Sequence, residues 1–196
     1  MTRIALIRHG LTQWNVLRRI QGGHDSPLTP EGEAACTAWA DALRPLNPTA
    51  LYSSPLGRAM HTARLVGCGL GLEPQEVPGL SEQLFGDWTG RTVEELRVSG
   101  ELPAQEAYGW AFLPPGGEDR ATVLLRTWAA LQTLAGRHPG QCILAVTHES
   151  VIRGLLYALL GRDYLAQEPR VLSPRALHIL RAEGGCLHLE AMNLPL

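Results

Sequence analysis

Two histidines in this 196-residue chain each stand at the end of a short apolar run. Ile4-Ala5-Leu6-Ile7 ends in Arg8-His9-Gly10, and the run from Gln141 to Thr147 ends in His148. A third short run, Thr49 to Ser53, leads into Ser54-Pro55 with Arg58 one helical turn further on, and Glu82 lies on an irregular stretch between the second and third sites. Two arginines and two histidines suit a phosphoryl dianion. Guanidinium forks bind its oxygens two at a time, and a neutral imidazole can attack phosphorus.

These residues work together only if the chain brings three strand ends to one place. An apolar run without alternation reads as a strand buried on both faces, and in open α/β sheets ligands bind beyond the carboxyl ends of such strands. Gly10 would let the backbone turn sharply and approach a ligand. Between the strands the pattern is helical. Thr29 caps a helix with Pro30 at its first position and Ala35, Trp39, Ala42, Leu43 and Leu46 at helical spacing. Ser54-Pro55 opens a second helix with Leu56, Ala59, Met60, Ala63 and Val66 facing inward. Glu73 to Val77 reads as a strand and Thr92 to Ser99 as a short helix.

From Glu118 a helix presents Ala121, Leu124, Leu125, Trp128, Leu131 and Ala135 on one face, and Val151, Ile152, Leu155, Leu156 and Leu159 mark the helix after His148. Arg175 to Arg181 and Cys186 to Met192 flank Glu183-Gly184-Gly185 as a hairpin on the sheet edge. The Pro- and Gly-rich segment Gly100–Gly117, with Tyr108, Trp110 and Phe112, reads as a long loop over the site. Strands alternating with helices give an α/β three-layer sandwich: a mostly parallel central sheet, helices on both faces, and a C-terminal edge hairpin.

Composition narrows the chemistry. All 17 basic residues are arginines, so a lysine-dependent phosphate loop or Schiff base is excluded. A net charge of −2 gives no whole-molecule attraction to nucleic acid or to an anionic membrane. Cys36, Cys68, Cys142 and Cys186 lack metal-binding or redox spacing and read as buried free thiols in a reducing compartment. No run approaches the ~20 apolar residues of a membrane span, and a cytoplasmic location is the expectation. His24, His61, His138, His178 and His188 show no metal-ligand spacing. His24, beside Gly22-Gly23, is the one of these placed to touch a substrate.

The ordered set of motifs resembles the histidine phosphatase superfamily, also called phosphoglycerate mutase-like. It comprises Arg8-His9-Gly10-Leu11-Thr12-Gln13-Trp14-Asn15, Gln21-Gly22 through Asp25-Ser26-Pro27-Leu28-Thr29, Ser53-Ser54-Pro55-Leu56-Gly57-Arg58-Ala59, Leu80-Ser81-Glu82 with Phe85-Gly86, Pro115-Gly116-Gly117-Glu118, and Val146-Thr147-His148. The length suits one domain and is short for two, and the motifs cover most of the chain to about Leu160, so a single such domain over residues 1–196 is the expectation. The resemblance implies that His9 is the nucleophile, kept neutral by the flanking charges of Arg8 and Arg58, and that Arg8, Arg58 and His148 hold the phosphoryl oxygens. Asn15, Thr12, Gln21 and the backbone near Gly22 would contact the same group. Glu82 would protonate the leaving oxygen and then activate water. No metal or cofactor is implied.

Two positions depart from the family pattern. Leu11 stands where glutamate is frequent. Glu149 follows His148 where this branch usually has a small residue, and a distant acid-phosphatase branch places its proton donor there. Glu149 therefore rivals Glu82; the context of Glu82 favours the latter, with Glu149 as a helix-start acid. The expected activity is metal-independent hydrolysis of a small phosphorylated metabolite through phosphohistidine. The alternatives are a cofactor-dependent phosphoglycerate mutase or a catalytically weak phospho-ligand binding module. The stretch Glu82–Gly90 resembles the phosphatase version, and Gly100–Gly117 contains no basic residue, although Arg91 and Arg97 keep the mutase reading open. Glu101 and Glu106 in the lid argue against a highly anionic polyphosphate. A homodimer through an edge strand is compatible with the sequence.

Overall fold

The structure, a computed structural model, describes residues 1–196. Strand β1 (Thr2–Arg8) sends Ile4 and Leu6 into one hydrophobic core and Ala5 and Ile7 into another. Both faces of the strand are therefore covered, which is why its sequence does not alternate. Burial of Ile4, Leu6 and Ile7 contributes about 2 kcal/mol each.

In chain order β1 is followed by the single turn α1 (Gln13–Val16), α2 (Pro30–Leu43), β2 (Ala50–Ser53), α3 (Gly57–Leu70), β3 (Pro74–Glu76), α4 (Val93–Val98), α5 (Glu101–Glu106), α6 (Arg120–Arg137), β4 (Cys142–Thr147), α7 (Glu149–Leu159), and the hairpin β5 (Ala176–Glu183) and β6 (Cys186–Pro195). The six strands form one sheet in the order β3-β2-β4-β1-β5-β6. Pairing is parallel from β3 to β1 and antiparallel across β5 and β6. The hairpin thus lies at the edge, as the sequence implies. Helices α2 and α3 pack on one face through Cys36, Trp39, Leu43, Ala59, Ala63 and Val66. Helices α6 and α7 cover the other through Val123, Leu131, Val151 and Leu155. The Thr29 hydroxyl accepts the Gly32 N–H at 3.0 Å and Pro30 opens α2, as expected.

Three expectations are corrected. Helix α6 buries Arg120, Val123, Thr127, Leu131 and Leu134, while Leu125 is 70% exposed. Its inward face is rotated because Arg120 and Thr127 turn in to reach backbone carbonyls, an attraction that an apolar stripe does not reveal. Segment 100–117 is not one long loop. It contains α5 and a further 3-10 turn, Gly109–Ala111, over a small core of Trp88, Leu96, Leu102 and Phe112. The four cysteines are free, but only Cys36 and Cys142 are buried.

Candidate active site

Register sets the site. Arg8 pairs with Thr147 and Ser53 with Val146, so β1, β4 and β2 end level and side by side. The pattern runs one residue beyond each strand: His9 N–H donates to the Thr147 carbonyl and Ser54 N–H to the Val146 carbonyl, both at 3.0 Å. His9 and His148 are thereby brought to a ring-centroid separation of 5.2 Å, both buried.

The two imidazoles are held differently. The Nδ1–H of His9 donates to the Gly10 carbonyl at 2.8 Å. A carbonyl only accepts, so in the neutral ring the proton sits on Nδ1 and the lone pair on Nε2. Burial, more than the nearby Arg8 and Arg58, pushes the His9 pKa well below the ordinary imidazole value. The sequence points to the flanking charges alone; burial is the larger cause. His148 is likewise held neutral, first by burial and then by His9, Arg58 and Arg8. Its Nε2 lies 2.8 Å from Ser54 Oγ, and its Nδ1 is buried without a partner.

Arg58 is 2% exposed and nearly immobilised. Its Nη1 donates to the His24 carbonyl at 2.8 Å and to Asp25 Oδ1 at 3.1 Å, its Nη2 to the Gly22 carbonyl at 2.8 Å, and its Nε to His9 Nε2 at 3.3 Å. Asp25 also accepts the backbone N–H groups of Gly57 and Arg58, capping α3, which has no other side-chain cap. The sequence alone gives Asp25 no role; a carboxylate shared between a helix start and a buried arginine joins residues 32 and 33 positions apart in sequence, which no local spacing reveals. Arg8 bonds through Nη1 to Glu149, and its Nε is buried without a partner.

Glu82 is buried, and burial raises its carboxyl pKa above the ordinary glutamate value despite one N–H donated by Gln83 at 2.9 Å. Its loop is clamped. Arg126 donates to the carbonyls of Gly79, Ser81 and Glu82 and forms two bonds to the Glu118 carboxylate. Thr147 Oγ1 donates to the Leu80 carbonyl at 2.6 Å. At Gly86, φ is +50° and a Cβ would lie 2.0 Å from the Pro115 carbonyl oxygen, so the Phe85-Gly86 and Pro115–Glu118 motifs interlock there. Arg126 was missed by sequence reasoning because its partners are mainly backbone carbonyls. Glu149, by contrast, is half exposed and engaged with Arg8.

Asn15, Gln21 and Gly22 line the same cleft as His9, Arg8, Arg58 and Glu82. Asn15 Oδ1 accepts from the backbone N–H and the hydroxyl of Thr12, leaving its Nδ2 turned to other use. Gln21 Oε1 is buried without a partner. Thr12 is fully buried and spent in the capping box of α1, so it orients Asn15 rather than lining the cleft. Gly10 is small for a different reason from the one expected: a Cβ there would lie 2.4 Å from Cys36 Sγ, so the constraint comes from α2. His24 stacks on Trp14 and contributes its carbonyl to Arg58.

Of the aromatic residues on loops, Phe112 lines the cleft, Trp88 belongs to the small core, Trp110 packs on the main core and Tyr108 is exposed. Glu101 does not face the cleft. Both of its oxygens are taken by Arg91, with Trp88 and Ser99 as further donors, and neither Glu101 nor Arg91 lines the cleft. Arg97 and Glu106 do line the cleft, whose volume is about 640 Å³.

The family model described as histidine phosphatase superfamily (branch 1) matches residues 4–195. The chain is 36% identical over 167 residues to a metal-independent phosphoserine phosphatase of Arabidopsis thaliana, covering 79% of this chain and 67% of that protein. It is 34% identical over 180 residues to a probable phosphoglycerate mutase of Enterobacter sp. (strain 638), covering 85% and 79%. The solved structure of mycobacterial glucosyl-3-phosphoglycerate phosphatase, in complex with VO3, matches with a TM-score of 0.85 at 28% identity, over 97% of this chain and 98% of that one. No helix is long and apolar enough to cross a membrane.

Proposed function

The chain belongs to branch 1 of the histidine phosphatase superfamily, and on that premise we propose that its 196 residues act as one phosphatase domain that hydrolyses a small phosphorylated metabolite through phosphohistidine on His9. One observation carries the reading. The lone pair of His9 Nε2, the Nε–H of Arg58 that meets it from the first turn of α3, and two buried donors without partners, Arg8 Nε and His148 Nδ1, gather where β1 and β4 end side by side. Buried polar atoms left unpaired cost about 1–3 kcal/mol each, a cost that a bound phosphoryl group would remove.

The steps follow from the residues. His9 Nε2 attacks phosphorus, and the bond from phosphorus to the ester oxygen breaks. Arg8, Arg58 and His148 hold the non-bridging oxygens and offset the charge that builds on them; one such donor is worth about 10²–10³ in rate. Glu82, whose buried carboxyl holds its proton more tightly than an ordinary glutamate does, gives that proton to the departing oxygen. As a carboxylate it then takes a proton from water, which attacks the phosphohistidine; the N–P bond breaks, and inorganic phosphate and neutral His9 are restored. No step uses a metal ion, and the name of the Arabidopsis relative supports that feature.

The Enterobacter relative bears a mutase name, which favours a second reading in which His9 returns the phosphoryl group to another hydroxyl of the same molecule. The short phosphatase-like stretch Glu82–Gly90 supports hydrolysis instead. Incubation with 3-phosphoglycerate and a chelator separates the two: release of inorganic phosphate is expected, and formation of 2-phosphoglycerate without release would establish the mutase.

A further inference from the structure

A chain of net charge −2 places eight of its 17 arginines on the walls of one cleft, against three glutamates. A single phosphoryl group accounts for Arg8 and Arg58, and the surplus needs another explanation. Arg120 is the most informative of the rest. It is 8% exposed, forms no ion pair, and stands over two aromatic rings, 4.0 Å from the Phe112 centroid and 3.9 Å from that of Tyr164. Its Nη1 donates to the Gly109 and Tyr164 carbonyls, and its Nε and Nη2 donate to nothing in the protein.

Arg153 belongs to the same assembly, with its guanidinium carbon 4.8 Å from the Tyr164 centroid and 5.1 Å from that of Tyr157. Its one polar partner is the Tyr157 hydroxyl, at 3.4 Å. Arg120 is buried and Arg153 half-buried; Glu106 and Glu149 act on them electrostatically without forming an ion pair, and ring faces offset only part of the cost of holding two cations there. Phe112, Tyr164, Arg120 and Arg153 all line the cleft beside Glu82. Glu82 also acts electrostatically on the Tyr164 phenol, whose pKa stands at about 12 chiefly through burial. The two guanidinium groups thus share one cleft with Glu82, the group that the proposed mechanism uses to protonate the leaving oxygen.

We infer that Arg120 and Arg153 form a second anion subsite, and that the substrate carries a carboxylate or a second phosphate on its leaving group. The inference rests on the hydrolytic reading for its placement and adds the substrate class. Guanidinium forks suit either anion, and Arg170 at the same cleft adds to the attracting field. Of the two carboxylates that the sequence sets against an anionic substrate, that of Glu101 is neutralised by Arg91 away from the cleft, while that of Glu106 lines the cleft and is outweighed by its arginines.

The test compares 2-phosphoglycolate with 2-hydroxyethyl phosphate, esters that differ only in a carboxylate against an alcohol, with 1,2-ethanediol bisphosphate as the second-phosphate arm. The ratio of charged to uncharged ester is read as kcat/KM on the intact chain and as Kd on the His9→Ala protein. A ratio of about tenfold to a hundredfold is expected, falling to near one in Arg153→Met and Arg120→Met and with added salt. Whichever charged ester gives the larger ratio identifies the second anion. Arg120→Met also removes two hydrogen bonds to backbone; Arg153→Met, which removes none, keeps the test decisive if the former misfolds. A ratio near one in the unaltered chain, or one unmoved by Arg153→Met, overturns the subsite. Loss of turnover with the binding ratio intact would instead overturn the hydrolytic reading and leave the subsite standing.

Discussion

Ser54 Oγ lies 2.8 Å from His148 Nε2 and sets which nitrogen of that imidazole carries the proton. The same hydroxyl accepts the Leu56 N–H at 3.2 Å, and Nε2 is the one acceptor within hydrogen-bond reach of its own proton. The His148 proton then sits on Nδ1, the buried atom without a partner. A serine just past β2 thereby leaves its neighbour just past β4 with a buried N–H, the donor that the proposed mechanism aims at a phosphoryl oxygen.

Ser54→Ala should lower kcat/KM about fivefold to a hundredfold, the range set by leaving one buried nitrogen unpaired and the tautomer unfixed. The loss should appear with all phosphate esters alike, and Ser54→Thr, which keeps the hydroxyl, should restore most of it. Steady-state kinetics on both variants checks this; equal losses in the two would make Ser54 a packing residue only.

Glu82 and Glu149 should separate sharply. With p-nitrophenyl phosphate, whose leaving group needs no proton, Glu82→Gln should release a stoichiometric burst of nitrophenolate and then stall, because water attack loses its base. Steady turnover should fall about 10²–10⁴-fold, and the alkaline limb of kcat/KM for alkyl esters, which reports loss of the Glu82 proton, should disappear. Glu149→Gln should cost less than about tenfold, through a looser Arg8. The reverse ranking would reassign the acid.

His178 supplies a pH dependence separate from catalysis. Burial lowers its pKa to about 4, while the unfolded chain takes up the proton near 6.5. Between these values the unfolded state binds more protons, so stability rises with pH and is lost as pH falls from 6.5 to about 4. His9 and His148, also held neutral, act in the same direction. Thermal unfolding should show Tm falling over that interval, and His178→Gln should flatten the fall by several degrees. An unchanged slope would mean that His178 titrates normally in the folded protein.

How much of this was legible in the sequence depended on the kind of interaction. β1 and β4 were readable because a strand covered on both faces has no polar positions, and α2 because Thr29 and Pro30 cap it locally. The meeting of His9, Arg58 and His148 followed from placing each beyond a parallel strand. The pattern of α6 was misread because Arg120 and Thr127 are buried for their hydrogen bonds, and Leu125 is exposed in their place. Asp25 and Arg126 act through backbone groups of distant segments, and such partners leave no mark in residue spacing. Glu101 was assigned to the lid's field because its capture by Arg91 and Trp88 depends on how α5 folds back.

The central claim is a covalent phosphoryl group on one nitrogen, and rapid mixing with substrate followed by alkaline quench and peptide mass spectrometry tests it most directly. A phosphorylated peptide containing His9, formed within the first turnover and absent from His9→Ala, is the expected result. Phosphate on another residue, or hydrolysis at full rate with no phosphopeptide at any time, would contradict it.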